Sequence, residues 1–354
     1  MLEKINAIQI ADYQEDRTII DVRSPSEFLQ GHIPNAINIP LFSDEEREKV
    51  GTIYKRASPE KALLIGLDFV GRKMTKYIGL AKKAAPNRKL IVYCWRGGKR
   101  SGSLAWLFDL AGFDVKVVIG GYKAYRSLAA QLYDNQQLTM IRIGGKTGTG
   151  KTEILYHLKD LGEQIIDLEG LAHHKGSAFG ELGETPAPNT EQFENNLYDV
   201  FSKLDFSRRI WVENESRGIG RIFIPQSFWD LFSKAELYNV HIPKDLRVKR
   251  LVVDYANFPK EELVKSFYSI EKKLGGQNMQ AAIQAIEEND FETATEIALV
   301  YYDKTYNFGK EKMNYSRLTE FDFDHADMRL VSEEIVRAEI VSRECEAANS
   351  CLKS

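Results

Sequence analysis

Short apolar runs alternate with longer amphipathic stretches over roughly the first 250 positions. Arg17-Thr18-Ile19-Ile20-Asp21-Val22, Ala36-Ile37-Asn38-Ile39-Pro40, Lys89-Leu90-Ile91-Val92-Tyr93 and Val115-Lys116-Val117-Val118-Ile119 read as strands. A continuous apolar run such as 89–93 suits a strand buried on both faces of a parallel sheet. Ser24-Pro25-Ser26-Glu27-Phe28 starts a short helix: Ser24 caps it, Pro25 fits the first helical position, and Glu27 completes a capping box. Residues 44–84 and 101–111 read as helices. Gly120-Gly121 closes this alternating unit, and a boundary falls between Tyr122 and Thr139. A second unit follows, with strands at 139–143, 164–168, 209–213 and 236–242 and a helix at 153–159. From about 245 onward the pattern is helical, broken at Lys272-Lys273-Leu274-Gly275-Gly276. The pattern predicts an α/β protein: parallel-sheet domains at 1–130 and 131–250, then a helical region at 251–354.

Composition narrows the class. The 354 residues are 43% hydrophobic and carry a formal charge of −3, which is no global signature of a nucleic-acid binder. Locally the balance differs: eight Lys/Arg face two Asp between Pro86 and Arg126, a net of +6. Such a field favours an anionic partner. The three cysteines, Cys94, Cys345 and Cys351, form no CxxC pair. That argues against a disulfide framework or a structural metal and for a reducing compartment. The first residues lack a basic-then-apolar leader pattern, and no apolar window reaches the length of a membrane span. The expectation is a cytoplasmic chain with no membrane segment, no metal cluster and no obligate protein partner.

The basic stretch surrounds Tyr93-Cys94-Trp95-Arg96-Gly97-Gly98-Lys99-Arg100-Ser101. A cysteine between a strand and a helix faces loop amides and a helix N-terminus, both of which favour a thiolate. Gly97 and Gly98 let the loop wrap tightly. Arg96, Lys99 and Arg100 supply charge for an anion held against the sulfur, Arg100 by a bidentate contact. Gly145-Lys146-Thr147-Gly148-Thr149-Gly150-Lys151-Thr152 follows a second apolar run and opens a helix, the context of a phosphate-binding loop (P-loop). Its amides cradle phosphate, Lys151 neutralises charge, and Thr152 is placed to reach a Mg²⁺. Asp167, Glu169, Glu213, Glu215 and Arg217 end the neighbouring strands and are candidates for substrate or Mg²⁺ contacts. The stretch from Asp167 to Gly180 has few apolar residues to bury and reads as a functional loop. Ile242 to Arg250 reads as a solvated helix or an anion clamp.

Residues 1 to about 130 resemble a rhodanese-type sulfurtransferase. The resemblance is carried by Ile20-Asp21-Val22-Arg23-Ser24-Pro25-Ser26-Glu27-Phe28 and by Gly31-His32-Ile33-Pro34-Asn35-Ala36-Ile37-Asn38-Ile39-Pro40. The family's catalytic cysteine, which carries a persulfide or perselenide, aligns with Cys94. Five residues separate Cys94 from Arg100, one more than in common sulfurtransferases, and a wider loop suits a larger anion. Cys-x5-Arg is also the spacing of cysteine-dependent phosphatases, although their usual preceding His is Tyr93 here. Asp21 and His32 are read as structural ties of the segment from Arg23 to Pro34.

The whole order of motifs resembles the tRNA 2-selenouridine synthase family. It runs from the cysteine and phosphate loops through Asp167-Leu168-Glu169-Gly170-Leu171-Ala172 and Gly176-Ser177-Ala178-Phe179-Gly180 to Glu213-Asn214-Glu215-Ser216-Arg217. The resemblance implies a rhodanese-like domain joined to a P-loop NTPase-like domain with a helical C-terminal part. It also implies a tRNA partner bearing 2-thiouridine at the wobble position of the anticodon. Geranyl diphosphate and selenophosphate would be co-substrates, with no tightly bound cofactor. The sulfur is first alkylated, and selenium then replaces it. Trp95 is a candidate for stacking an extruded base. Two other readings stay open on the residues alone: a cysteine-dependent phosphatase or sulfurtransferase coupled to a nucleotide-binding domain, and a non-catalytic scaffold.

Overall fold

A computed structural model of the chain describes residues 2–133, 138–310 and 314–351, with backbone alone for 345–351. The side chains of Cys345 and Cys351 thus lie outside the described residues. The chain divides into two compact units, Met1–Asp134 with Asn189–Lys203, and Asn135–Pro188 with Leu204–Ser354.

The first unit is built on five strands: β1 (Glu3–Ile5), β2 (Thr18–Asp21), β3 (Ile37–Asn38), β4 (Lys89–Tyr93) and β5 (Asp114–Val118). All pairings are parallel, in the order β1-β5-β4-β2-β3. β4 is buried from Leu90 to Tyr93 because helices cover both faces. Its side chains alternate between two cores. Leu90 and Val92 join Leu104 and Phe108 of the helix Lys99–Leu110. Ile91 and Tyr93 join Tyr122 and Tyr125 of the helix Gly121–Gln131. The helix predicted after Ser24 spans Pro25–Gln30, and the Ser24 amide donates to Glu27 Oε2 at 3.1 Å. The segment 44–84 forms three helices, Asp44–Arg56, Pro59–Gly71 and Met74–Ala84.

The second unit holds β6 (Met140–Gly144), β7 (Gln164–Ile166), β8 (Ile210–Glu213), β9 (Gly218–Ile219), β10 (Ile222–Phe223), β11 (Glu236–His241) and β12 (Leu318–Asp322). Five form a parallel sheet ordered β12-β11-β6-β8-β7; β9 and β10 form a separate antiparallel pair. The sheet core gathers Ile141, Ile143, Trp211 and Tyr238 with Leu155 and Leu158 of the helix Lys151–Asp160. A second core lies among the helices Lys260–Leu274, Gly276–Glu287 and Phe291–Lys310.

Three features differ from the sequence reading. β1 is a three-residue edge strand, too short and polar to leave a period. The region expected to be helical from 251 contributes β12, which pairs with β11 from Leu237↔Leu318 to His241↔Asp322. Its half-exposed side chains give an edge strand no continuous apolar run. It belongs with the P-loop sheet, as does the closing helix Met328–Cys351. The helix Thr190–Phe201, expected in the 131–250 domain, lies in the first unit. There the fully buried Asn195 donates to the His32 carbonyl at 2.9 Å and to the Tyr122 hydroxyl at 2.7 Å. Among the described residues no helix is long and apolar enough to cross a membrane.

Candidate functional site

Cys94 leaves β4 at the floor of a loop that runs into the helix Lys99–Leu110. It is almost fully buried, and its Sγ lies 3.3 Å from Ser101 Oγ. The Ser101 hydroxyl donates to the Gly98 carbonyl at 3.1 Å, so the serine ties the sulfur to the far end of the loop. The near end is tied to the helix Gly121–Gln131. Tyr122 N donates to the Cys94 carbonyl at 2.9 Å and Lys123 N to the Trp95 carbonyl at 3.0 Å. Such contact requires glycine on both sides. Gly97 has φ +63° and Gly121 φ +58°, and a Cβ on Gly121 would stand 2.1 Å from the Cys94 carbonyl oxygen and 2.5 Å from Gly97 N. The Gly121→Ala protein is therefore expected to lose about 1–3 kcal/mol from the left-handed backbone alone, and more from the clash. A thermal melt would register this as a clear fall in Tm, and a melt indistinguishable from wild type would contradict the packing.

The predicted charges around Cys94 are only partly available. Arg100 does not point a free fork at the sulfur. It grips Glu27 through both nitrogens, at 2.5 and 3.2 Å. Burial works against ionisation of Glu27, but the hydrogen bonds and charge of Arg100, with Arg47 behind, hold its carboxyl below the usual range. Lys89 pairs with Asp16, Lys116 with Glu3 and Arg126 with Glu194. Half of the eight basic residues between Pro86 and Arg126 are thus neutralised by acids outside that stretch. Arg96 and Lys99 are exposed and make no ion pair among the described residues. An anion at Cys94 meets these two first, and reaches Arg100 only in competition with Glu27. Trp95 is exposed at the rim, its ring 5.8 Å from that of Tyr122. Asp21 and Arg23 form a buried pair at 2.6 Å, and Arg23 also holds the Gly31 carbonyl at 2.6 Å. Asp21, read from the sequence as a structural tie, thus braces the segment through Arg23 as far as Gly31.

In the second unit, the loop 145–150 joins β6 to the helix Lys151–Asp160. Gly145, Thr147, Gly148, Gly150, Lys151 and Thr152 line a cavity of about 950 Å³. Lys146 is not among them. It turns toward Asp303 at 3.8 Å. Thr149 is buried under the loop. Thr152 Oγ1 donates to Glu169 Oε2 at 2.9 Å. Glu215 reaches the same place: a Cβ on Gly176 would lie 2.7 Å from Glu169 Oε1 and 2.8 Å from Glu215 Oε2. Asp167 lines the cavity but serves the local backbone and Tyr156, accepting from Gly170 N and from the Tyr156 hydroxyl, each at 2.7 Å. Glu213 does not line the cavity. It is fully buried and accepts the Glu169 amide at 2.6 Å, which orients Glu169. Arg217 is exposed and stands outside the cavity wall.

Crowding and burial raise two of these carboxyls. Burial, then the charges of Asp167 and Glu169, push Glu213 well above the carboxylate range. Burial and the Glu169 charge raise Glu215 to about 8, against the pull of Lys151. A carboxyl raised on folding stabilises the fold below its ordinary value and loses that contribution as pH climbs through the raised one. Wild type is therefore expected to lose stability relative to Glu215→Gln between pH 4.5 and about 8. Paired melts across that window test this; parallel pH profiles would contradict it.

Sequence reasoning left open the role of the helix Lys244–Tyr255. Its buried Arg247 donates to the Thr147 carbonyl at 2.9 Å and pairs with Asp303, so it braces the P-loop. Arg250 faces the cavity and pairs with Glu153. The only signal in the sequence was the density of basic residues after Pro243.

A family profile described as the tRNA 2-selenouridine synthase AAA domain matches residues 138–333, and a rhodanese-like domain profile matches residues 6–128. The chain is 32% identical to a tRNA 2-selenouridine synthase of Shewanella denitrificans, over 91% of this chain and 96% of that one. It is 34% identical to one of Shewanella frigidimarina, over 84% and 90%. It is 31% identical to one of Nitrosomonas europaea, over 86% and 91%.

Proposed function

Since the chain belongs to the tRNA 2-selenouridine synthase family, we propose that it converts wobble 2-thiouridine in tRNA to 2-selenouridine in two steps, alkylation at the P-loop and exchange at Cys94. The observation that supports this division of labour is that one chain carries two chemically different loops, a buried thiol between a strand and a helix, and a P-loop that lines a cavity. In the first step the uridine sulfur bonds to C1 of geranyl diphosphate. The C1–O bond breaks, the diphosphate leaves with the electron pair, and the N3 proton is lost to a base. Lys151 and the loop amides hold the diphosphate and stabilise the charge that develops on it. Alkylation converts a poor leaving group into a thiol.

In the second step Cys94 attacks C2 as a thiolate and expels geranylthiol. Selenium of selenophosphate then displaces Cys94, and water cleaves the P–Se bond to release phosphate. Every step is redox-neutral, whereas a perselenide drawn from selenophosphate would require an oxidant. Arg96 and Lys99 draw in the selenophosphate, and the same exposed charges meet the tRNA backbone, so binding weakens with salt.

A Mg²⁺ fits the P-loop. Thr152 and Glu169 stand within hydrogen-bond distance of each other beside Lys151, and this ion is held by one or two protein oxygens, phosphates and water. When bound it offsets charge on the diphosphate.

The test is mass spectrometry of nucleosides from 2-thiouridine tRNA. Geranyl diphosphate alone should yield the S-geranyl nucleoside, and selenophosphate added with it should yield 2-selenouridine. Unaltered tRNA in every mixture would reject the proposal and direct attention to phosphomonoesters, as the Cys-x5-Arg spacing would suggest.

A further inference from the structure

The cavity around the P-loop has an apolar annex. Thr147 of the loop, with Ser177, Leu251, Tyr255 and Tyr302, lines both the main cavity and a second chamber behind it. Beyond that shared mouth the wall is hydrocarbon, formed by Leu263, Phe267, Ile286, Phe291 and Ala298, with Thr295 among them. The Gly176–Gly180 segment contributes Ser177 to this mouth and is held in place by the helices around it. Ala178 N donates to the Tyr302 hydroxyl at 3.0 Å, and the Phe179 ring sits edge-on to Phe267 at 5.1 Å. A group that binds phosphate at the loop thus has a dry wall directly beside it. Such a wall offers few hydrogen-bond partners to a ribose or to the polar edge of a base, and suits a hydrocarbon.

We infer that this chamber seats the hydrocarbon chain of the diphosphate held by the P-loop, a short branched isoprenyl chain. The inference rests on the reading of the P-loop as a diphosphate site. Space in the chamber is about 60 Å³, less than half the ~150 Å³ of an engineered apolar cavity that takes up benzene. A chain of several carbons therefore enters by moving the half-buried side chains of Phe291 and Thr295. Those two residues set the chain length accepted, since one methylene in an apolar pocket changes preference by about 10–200-fold.

Binding of geranyl, farnesyl and inorganic diphosphate to the full chain tests this. Wild type is expected to hold geranyl diphosphate at least tenfold tighter than inorganic diphosphate. Thr295→Phe fills the chamber and should erase that preference with inorganic diphosphate binding unchanged. Phe291→Ala enlarges it and should shift the preference toward farnesyl diphosphate. If wild type binds the geranyl and inorganic ligands equally, or if both variants melt as wild type and keep its chain-length preference, the chamber is a packing void and the inference is overturned. If wild type binds no diphosphate at all, the P-loop reading itself falls and takes the inference with it.

Discussion

The Cys94→Ala protein is expected to take 2-thiouridine tRNA to the S-geranyl nucleoside and stop there. The Cys94 thiol stands at the floor of its loop, and the neighbouring Ser101 hydroxyl is engaged by the Gly98 carbonyl. Loss of such a group should cut 2-selenouridine formation by at least about a thousandfold. Geranylation should persist, because its charge-stabilising groups belong to the P-loop. Nucleoside mass spectrometry separates the outcomes: accumulation of the geranylated form supports the assignment, and wild-type selenation without the thiol would remove Cys94 from the chemistry.

Lys151→Ala should fail earlier. Its ammonium stands at the loop where the diphosphate oxygens gather charge as the C–O bond breaks, and removal of one such stabilising group costs about 10²–10³ in rate. The substitution leaves the helix Lys151–Asp160 a good helix former at its first position. The expected result is a protein with an ordinary melt that forms neither modified nucleoside from 2-thiouridine. A rate within a few-fold of wild type would place the diphosphate elsewhere.

The strands that carry the two loops were legible because β4 is a continuous apolar run and β6 is apolar but for Arg142, and each leads into a glycine-rich loop. The partners of the loop residues were not. Glu27 satisfied a helix cap in sequence, and nothing local revealed that the same carboxylate also binds Arg100, 73 positions away. Glu169 sits in the short helix Leu168–Ala172 after β7 and Glu215 two residues past β8, and only the sheet order β6-β8-β7 sets them side by side at Gly176. Arg247 reads as one basic residue among several, yet its guanidinium is buried against the P-loop. The apolar chamber draws its wall from four helices and two loops, so no single stretch of sequence announces it. β12 escaped notice because an edge strand with half-exposed side chains has no apolar run to show.

The central claim is that two steps occur at two separate sites, and S-geranyl-2-thiouridine tRNA supplied directly tests it. With selenophosphate, the Lys151→Ala protein should convert this substrate to 2-selenouridine at close to the wild-type rate, since the step it lacks has been bypassed. The Cys94→Ala protein should leave it unchanged. Selenation by Cys94→Ala, or failure of Lys151→Ala, would contradict the account.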